Sequence, residues 1–150
     1  MLSGRLIHLI EAHWDEIASR ALRQIQKDPE LRHIKKLSEA ELREWGENLV
    51  ANLGHWLAGR HEDELARHYE TLGQVRFEQG VPLHEAVRGL CILKEKMIDF
   101  LEEQDLPNTA AAVYAEEELE HRVWRFFDHL TVHLTKGYEA AWRKAAHAVA

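Results

Sequence analysis

Eleven histidines are many for a chain of 150 residues, and two of them have the spacing of metal ligands. His129 and His133 are four residues apart, so on a helix they share one face, which suits a zinc-type site. Glu118 and His121 form a Glu-x-x-His pair on the same stretch. A di-iron bundle needs two such helical pairs and two further glutamates, and the other pair here falls in a connector. A metal-binding bundle would therefore use His121, His129 and His133, and the alternative is that these are surface histidines.

Haem ligation is a second chemistry that histidines in a helical protein could support. A haem globin needs a proximal histidine shortly before its last two long helices. His68 is the first candidate, on the expected inner face between Leu65 and Leu72, and His84 is the second, in a helix corner. A histidine on an apolar face is also an ordinary core residue, and no separate short helix is predicted to carry a proximal ligand. We therefore expect no cofactor, with a haem-binding globin sensor as the alternative.

Arg76 is the charged residue whose position is most informative. It lies beside the expected inner positions Leu72 and Val75, shortly before a helix corner. Two roles are open: a structural clasp to a carboxylate, for which Glu85 across the corner is the candidate, or a contact to an anionic ligand. Together with His68 and His84, Arg76 completes the set of predicted ligand-binding residues.

Enzymatic chemistry has little support in this sequence. Cys91 lies in an apolar helical stretch and is expected to act as a small hydrophobic residue. The chain has no nucleophile elbow, no phosphate-binding loop and no dinucleotide-binding glycine pattern. We therefore predict that the protein is not an enzyme.

Composition limits the remaining classes of function. The net charge of −7 argues against nucleic-acid binding, because no basic face is available to neutralise phosphates. A single cysteine precludes an intramolecular disulfide and suits a reducing cytoplasm. No apolar run approaches the roughly 20 residues that span a bilayer. These features predict a cytoplasmic protein without membrane contact, folded as one domain over residues 1–150.

Apolar residues recur at helical spacing along the chain and predict an all-α fold. We expect about five long helices, near residues 2–27, 38–56, 61–79, 82–103 and 110–147, with short connections. Short connections favour antiparallel neighbours in a bundle or globin-like arrangement. Gly80 and Pro82 should end one helix and begin the next, with Glu85 in the new first turn. Ser38 and Glu41 form a capping box in which Glu41 reaches back to the cap.

The last predicted helix carries a possible dimer seam. From Leu119 to Ala141 its apolar positions alternate between spacings of three and four, as in helices that pair with a partner helix. The predicted interface residues are Val123, Phe127, Leu130 and Leu134. The same spacing would also serve a helix that faces the core of a monomer, so both interpretations stay open.

The stretches LGQVR (72–76) and GVPLHE (80–85) resemble the N-terminal domain of RsbR-type RsbT co-antagonist proteins. That family shows a glycine, an arginine, a second glycine, a leucine and an acidic residue entering a helix. Gly73, Arg76, Gly80, Leu83 and Glu85 match this pattern here. The resemblance extends over nearly the whole chain, but it supplies no ligand residues.

The resemblance implies a globin-like, usually haem-free sensory domain that dimerises. Such domains precede STAS, kinase or other output domains in bacterial stress-signalling proteins. We therefore expect a non-catalytic signalling input domain that forms a homodimer and relays a signal to an output domain or partner protein. Histidine protonation is one candidate signal, because the unperturbed pKa of histidine lies near 6.5.

Overall fold

The computed structural model describes residues 2–57, 62–105 and 107–149, and this part of the chain is helical without β-strands. The α-helices are α1 (Leu2–Ala12), α2 (Trp14–Lys27), α3 (Glu39–Leu57), α4 (Glu62–Glu78), α5 (Leu83–Glu102) and α6 (Ala110–Val149). A single 3-10 turn, Ile34–Lys36, lies between α2 and α3. The all-α expectation is confirmed, with six α-helices in the described residues rather than about five.

The difference in number comes from a break within the first predicted helix. His13 leaves helical geometry at φ −112° and ψ 22°, and α2 restarts at Trp14. No proline or glycine marks this point, so apolar periodicity alone cannot locate it. The break allows Ile10 and Ile17 on the two helices to be buried at 1% and 0% exposure. The predicted end of this stretch near residue 27 is confirmed, because α2 stops at Lys27.

The corner between α4 and α5 forms as predicted. Gly80 has a φ of 77°, the left-handed conformation that glycine adopts at little cost. The Val81 N–H donates to the Arg76 carbonyl at 3.0 Å, and the Gly80 N–H donates to the Phe77 carbonyl at 3.0 Å. This pair of bonds closes the end of a helix on its last carbonyls. Pro82 then directly precedes α5 in an extended conformation.

Two helix starts are capped by side chains. The Glu41 N–H donates to Ser38 Oγ at 3.1 Å, and the Ala112 N–H donates to Thr109 Oγ1 at 3.1 Å. Only half of the predicted capping box forms, because the Glu41 side chain does not turn back to Ser38. It contacts Arg76 instead, which offers a charged donor.

All six helices contribute buried residues to the core. Helices α4, α5, α1 and α3 contact α6, and α2 packs mainly on α5. Helices α4 and α6 share the most extensive contact. They approach each other most closely where Gly73 faces Gly137. A Cβ on Gly73 would overlap the carbonyl oxygen of Leu134, and a Cβ on Gly137 would overlap that of Glu70. The largest fully buried side chains include Tyr69, Phe126, Phe127, Leu6, Ile10, Ile17, Leu49, Leu90 and Met97.

None of the helices in the described ranges is long and apolar enough to cross a membrane.

Candidate functional site

Arg76 lies at the end of α4 and is 6% exposed. Its Nη1 donates to Glu41 Oε1 at 2.8 Å and to Gln79 Oε1 at 2.8 Å. Gln79 Nε2 also donates to Glu41 Oε1, at 2.7 Å. The Gln79 hydrogen bond and the Arg76 guanidinium hold the pKa of the Glu41 carboxyl below its usual range. Arg76 therefore clasps the end of α4 to the start of α3, and its carboxylate partner is Glu41 rather than the predicted Glu85.

Glu85 makes a separate contact across the same corner. Its carboxylate is 1% exposed and accepts hydrogen bonds from the backbone N–H groups of His33 at 2.8 Å and Ile34 at 3.2 Å. His33 Nδ1 lies 2.7 Å from its other oxygen. Burial alone would raise the pKa of the Glu85 carboxyl, but these hydrogen bonds outweigh it and the pKa is lowered. Glu85 thus holds the 3-10 turn against the start of α5.

Replacement of Arg76 by alanine tests the clasp. Arg76→Ala should lower the free energy of unfolding by about 1–3 kcal/mol, since it removes charge-assisted hydrogen bonds and leaves Glu41 without its cation. The measurement is thermal melting at neutral pH. The control is Arg88→Ala on α5, whose side chain is 41% exposed and whose ion pairs are surface pairs. Equal melting temperatures for wild type and Arg76→Ala would instead favour a ligand-binding role for this residue.

A small apolar cavity lies beside the clasp. It is lined by Ile34, Leu42, Trp45, Tyr69, Leu72, Arg76, Ala86, Leu90 and Leu134. Its volume of about 20 Å³ holds one water-sized sphere, whereas ligand pockets measure roughly 300–1,000 Å³. Burial raises the pKa of the Tyr69 hydroxyl above its ordinary value, so this group stays neutral. The cavity is therefore a packing space rather than a pocket for a large cofactor.

The two haem-ligand candidates lie on the surface. His68 is exposed on α4, with its ring edge against Tyr69 at a centroid distance of 5.6 Å. His84 is exposed in the first turn of α5. The inner face of α4 presents Tyr69, Gly73 and Arg76 instead. No histidine in the described residues is buried, and none lines the cavity beside the clasp. The residues present do not fit a haem.

The three metal-ligand candidates on α6 divide into two groups. His129 and His133 are partly buried and their ring centroids are 4.5 Å apart, whereas His121 is exposed. His133 Nδ1 lies 2.8 Å from Glu70 Oε2 on α4. Within the described ranges, no group of three or more histidine, cysteine, aspartate or glutamate side chains could hold a metal ion. The arrangement joins two histidines and a carboxylate, but it is not a complete ligand set.

The predicted dimer residues belong to the core of the chain. Val123, Phe127, Leu130 and Leu134 are each 0–2% exposed. Their three-and-four spacing therefore serves packing within the chain, the second interpretation given above. The remaining faces of α6 carry exposed large side chains, namely Val113, Tyr114, Trp124, Val132 and Trp142. Lys94 of α5 extends its Nζ over the Trp124 ring, 3.9 Å from the centroid.

An open groove runs between the α4–α5 corner and the end of α6. Its volume is about 420 Å³, and its apolar lining residues are Phe77, Val81, Pro82, Leu83, Tyr138 and Trp142. The Tyr138 hydroxyl donates to the Val81 carbonyl at 2.9 Å, which fixes α6 to the corner. Burial raises the pKa of Tyr138 to about 12, so the hydroxyl keeps its proton and this bond at physiological pH.

The comparison with protein families identifies the chain. Residues 15–149 match the model of the RsbT co-antagonist protein RsbRD N-terminal domain. The chain belongs to this family. RsbRD N-terminal domains are signalling input domains, and the match covers the corner, the clasp and all of α6. A search of curated proteins finds no match.

Solved structures show which fold this RsbRD N-terminal domain adopts. It is similar to the globin domain of E. coli DosC in the ferrous form, at 17% identity and a TM-score of 0.72. The ferric form gives 18% identity and the same TM-score. Each comparison covers 90% of this chain and 88% of the DosC domain. The fold is therefore globin-like, as predicted, and at this identity the likeness concerns the fold alone.

The five motif residues of the RsbRD N-terminal domain have distinct structural positions. Gly73 permits the close approach of α4 and α6, and Gly80 turns the corner. Arg76 and Glu85 form two separate polar contacts to α3 and to the 3-10 turn. Leu83, 38% exposed, lines the open groove. The motif thus builds and anchors one corner of the domain.

The partners of this corner are not evident from local sequence patterns. The capping-box pattern predicts a local partner for Glu41, and the apolar spacing of the last helix predicts no role for Gly137. In the structure α6 continues through Gly137, which provides the space that α4 needs. The sequence signal for this contact is the presence of one glycine on each of two long helices, Gly73 on α4 and Gly137 on α6. Glu70, which approaches both Gly137 and His133, had no sequence signal at all.

Proposed function

We propose that this domain is a non-catalytic, haem-free cytoplasmic input module that forms a homodimer and relays a signal to an output domain or partner protein. The observation that carries the proposal is the family match over residues 15–149. The absence of recognisable catalytic motifs in the sequence supports a regulatory rather than an enzymatic role. The single, half-buried Cys91 is compatible with a reducing compartment.

The proposal of a haem-free domain rests on the surroundings of the candidate ligands. His68 and His84 face solvent, and the cavity beside Arg76 has room for about one water. An axial histidine needs an enclosed apolar pocket around the macrocycle. Arg76 has its Nη1 engaged by Glu41 and Gln79, which supports a structural role over ligand binding.

For the dimer we propose the outward face of α6. Trp124 and Trp142 are 49% and 64% exposed, and 18 residues separate them, which is about five helical turns. They therefore point to the same side of α6. Val132, 53% exposed, lies between them along the helix and about 80° around its axis from the two tryptophans. Exposed aromatic side chains are typical anchors of protein interfaces.

This placement suggests how a signal would reach a partner. One face of α6 packs on α4 and α5, and the other face would contact the second copy. A change in the packing of α4 against α6 would therefore alter the dimer directly. Such a change requires a signal with different affinity for two packing states.

Charge placed on the outward face should weaken the dimer. Val132→Asp is expected to raise the dimer dissociation constant at least about tenfold, because a buried interface would then contain an unpaired carboxylate. The dissociation constant is measured by sedimentation velocity over a concentration series. The protein is incubated with haem beforehand, so that the same samples show whether haem is retained. Wild type should sediment as a dimer without a retained Soret band.

The matched control for this experiment is Val75→Asp, at a 38% exposed position on α4. It should leave the sedimenting mass unchanged. A wild-type monomer at all concentrations would exclude the dimer. A retained Soret band that disappears in His68→Ala or His84→Ala would instead support the haem sensor.

A further inference from the structure

A cluster of aromatic rings and one carboxylate joins α3, α4 and α6. His129 of α6 stacks on Trp56 near the end of α3, with centroids 5.0 Å apart. Trp56 also packs on Phe126 at 6.1 Å. One turn further along α6, His133 lies 4.5 Å from His129, ring to ring. We name His129, His133, Trp56 and Glu70 the histidine cluster.

His129 is the member whose protonation the structure opposes. Its Nε2 is buried and has no hydrogen-bond partner among the described residues. An added proton there would create a buried N–H without an acceptor and would keep the new charge away from water, which is costly. Burial lowers the pKa of His129, and the neighbouring His133 lowers it further. The native contact therefore favours neutral His129.

The charged groups around His129 lie on its own helix, α6, and on the neighbouring helix α4. On α6, His133 and Lys136 oppose its protonation. On α4, Glu62 favours protonation, and Glu70 is 2.8 Å from His133 Nδ1. Helix α3 contributes the uncharged Trp56 ring. Glu70 can balance a charge on His133, which leaves a charge on His129 opposed by its burial.

From this geometry we propose that the histidine cluster is a proton-sensitive latch, which holds the end of α3 against α6 when His129 is neutral and releases it when His129 is protonated. The inference deepens the proposed function, because it names protons as a signal that the input domain can sense. The dimer is a separate contact on the outward face of α6, so the latch and the dimer can be tested independently.

The sign of the pH dependence follows from the lowered pKa. A histidine whose pKa is lower in the closed state binds a proton more readily when the contact opens. The stability of the contact is therefore complete above the ordinary pKa of 6.5 and is lost as pH falls below it. Each pKa unit between the closed and open states changes the opening equilibrium by about tenfold.

Hydrogen exchange of the full chain measures the opening directly. After correction for intrinsic rates, amides near the end of α3 should exchange faster at about pH 5.5 than at about pH 7.5, by up to about tenfold per unit of lowered pKa. His129→Gln should abolish this difference, and His129→Phe serves as a second variant that keeps a ring against Trp56. His121→Gln, at an exposed position on the same helix, should respond like wild type.

The outcomes separate the two proposals. An equal pH response in wild type and both His129 variants, or no response in wild type, would overturn the latch. Repeating the experiment in Val132→Asp shows whether the response depends on the dimer. A pH response in a chain that never dimerises would leave the latch intact and reject only the dimer.

Discussion

Gly137→Ala should destabilise the domain more than any other single-methyl change on α6. The new Cβ would overlap the backbone carbonyl of Glu70, and backbone cannot move aside as a flexible side chain can. The helices α4 and α6 would have to separate along their most extensive contact. We expect a loss of about 3 kcal/mol or more in the free energy of unfolding, the upper end of overpacking effects. Urea denaturation followed by circular dichroism gives the measurement.

Gly4→Ala is the matched control for this substitution. Gly4 lies within α1, and a Cβ there would meet nothing within 4 Å. The same methyl group should therefore stabilise that helix by about 0.5–1 kcal/mol, because alanine is the better helix former. If Gly137→Ala were as stable as wild type, this result would contradict the close approach of α4 and α6 at Gly73 and Gly137.

Glu85→Ala should give the second large effect. The carboxylate is 1% exposed, and its loss leaves two backbone N–H groups of the 3-10 turn without acceptors. Each buried donor that loses its acceptor typically costs about 1–3 kcal/mol, so the two together should lower the free energy of unfolding by about 2–6 kcal/mol. The control is Glu95→Ala, an exposed carboxylate on the same helix, whose pair with Arg88 should contribute at most about 1 kcal/mol.

Acid titration gives Glu85 a second, independent signature. Its pKa is lowered in the folded state, so its contribution to stability is present above the ordinary value of 4.5 and is lost as pH falls through the lowered value. Wild type should therefore lose stability more steeply below about pH 4.5 than Glu85→Gln, because the glutamine side chain does not titrate. Parallel curves for the two proteins would show that the carboxylate contributes no such linkage.

The helices and the α4–α5 corner could be predicted because their signals are local. Apolar spacing predicts a helix, and the glycine and proline at 80 and 82 mark where one ends and the next begins. The inner face of α4 could not be predicted in the same way. Apolar spacing predicts that Leu72 and Val75 lie on the inner face of α4. In the structure Gly73 and Arg76 are buried there, and Val75 is 38% exposed. A glycine and an arginine carry no apolar signal, although here they make the decisive contacts.

The polar contacts of the corner were beyond local sequence signals. Arg76 and Glu41 are 35 positions apart, and Glu85 reaches a backbone N–H 52 positions away. No local pattern encodes such partners. The apolar spacing on α6 is a clear local signal, but it does not say what the helix packs against. Packing within one chain and packing on a partner helix require the same apolar repeat. Only the position of α4 and α5 decides that Leu130 faces inward.

The length of α6 has a mechanical consequence. Forty residues make a rod of about 60 Å, and side-chain burial ends at Ala141, so its last turns stand clear of the other helices. Ala141 is the last buried position among the described residues, and about 12 Å of helix lies beyond it. A tilt of about 10° at this point would move the far end by about 2 Å. A small adjustment in the packing of α4 against α6 would therefore produce a larger displacement at the end of α6 than at the contact itself.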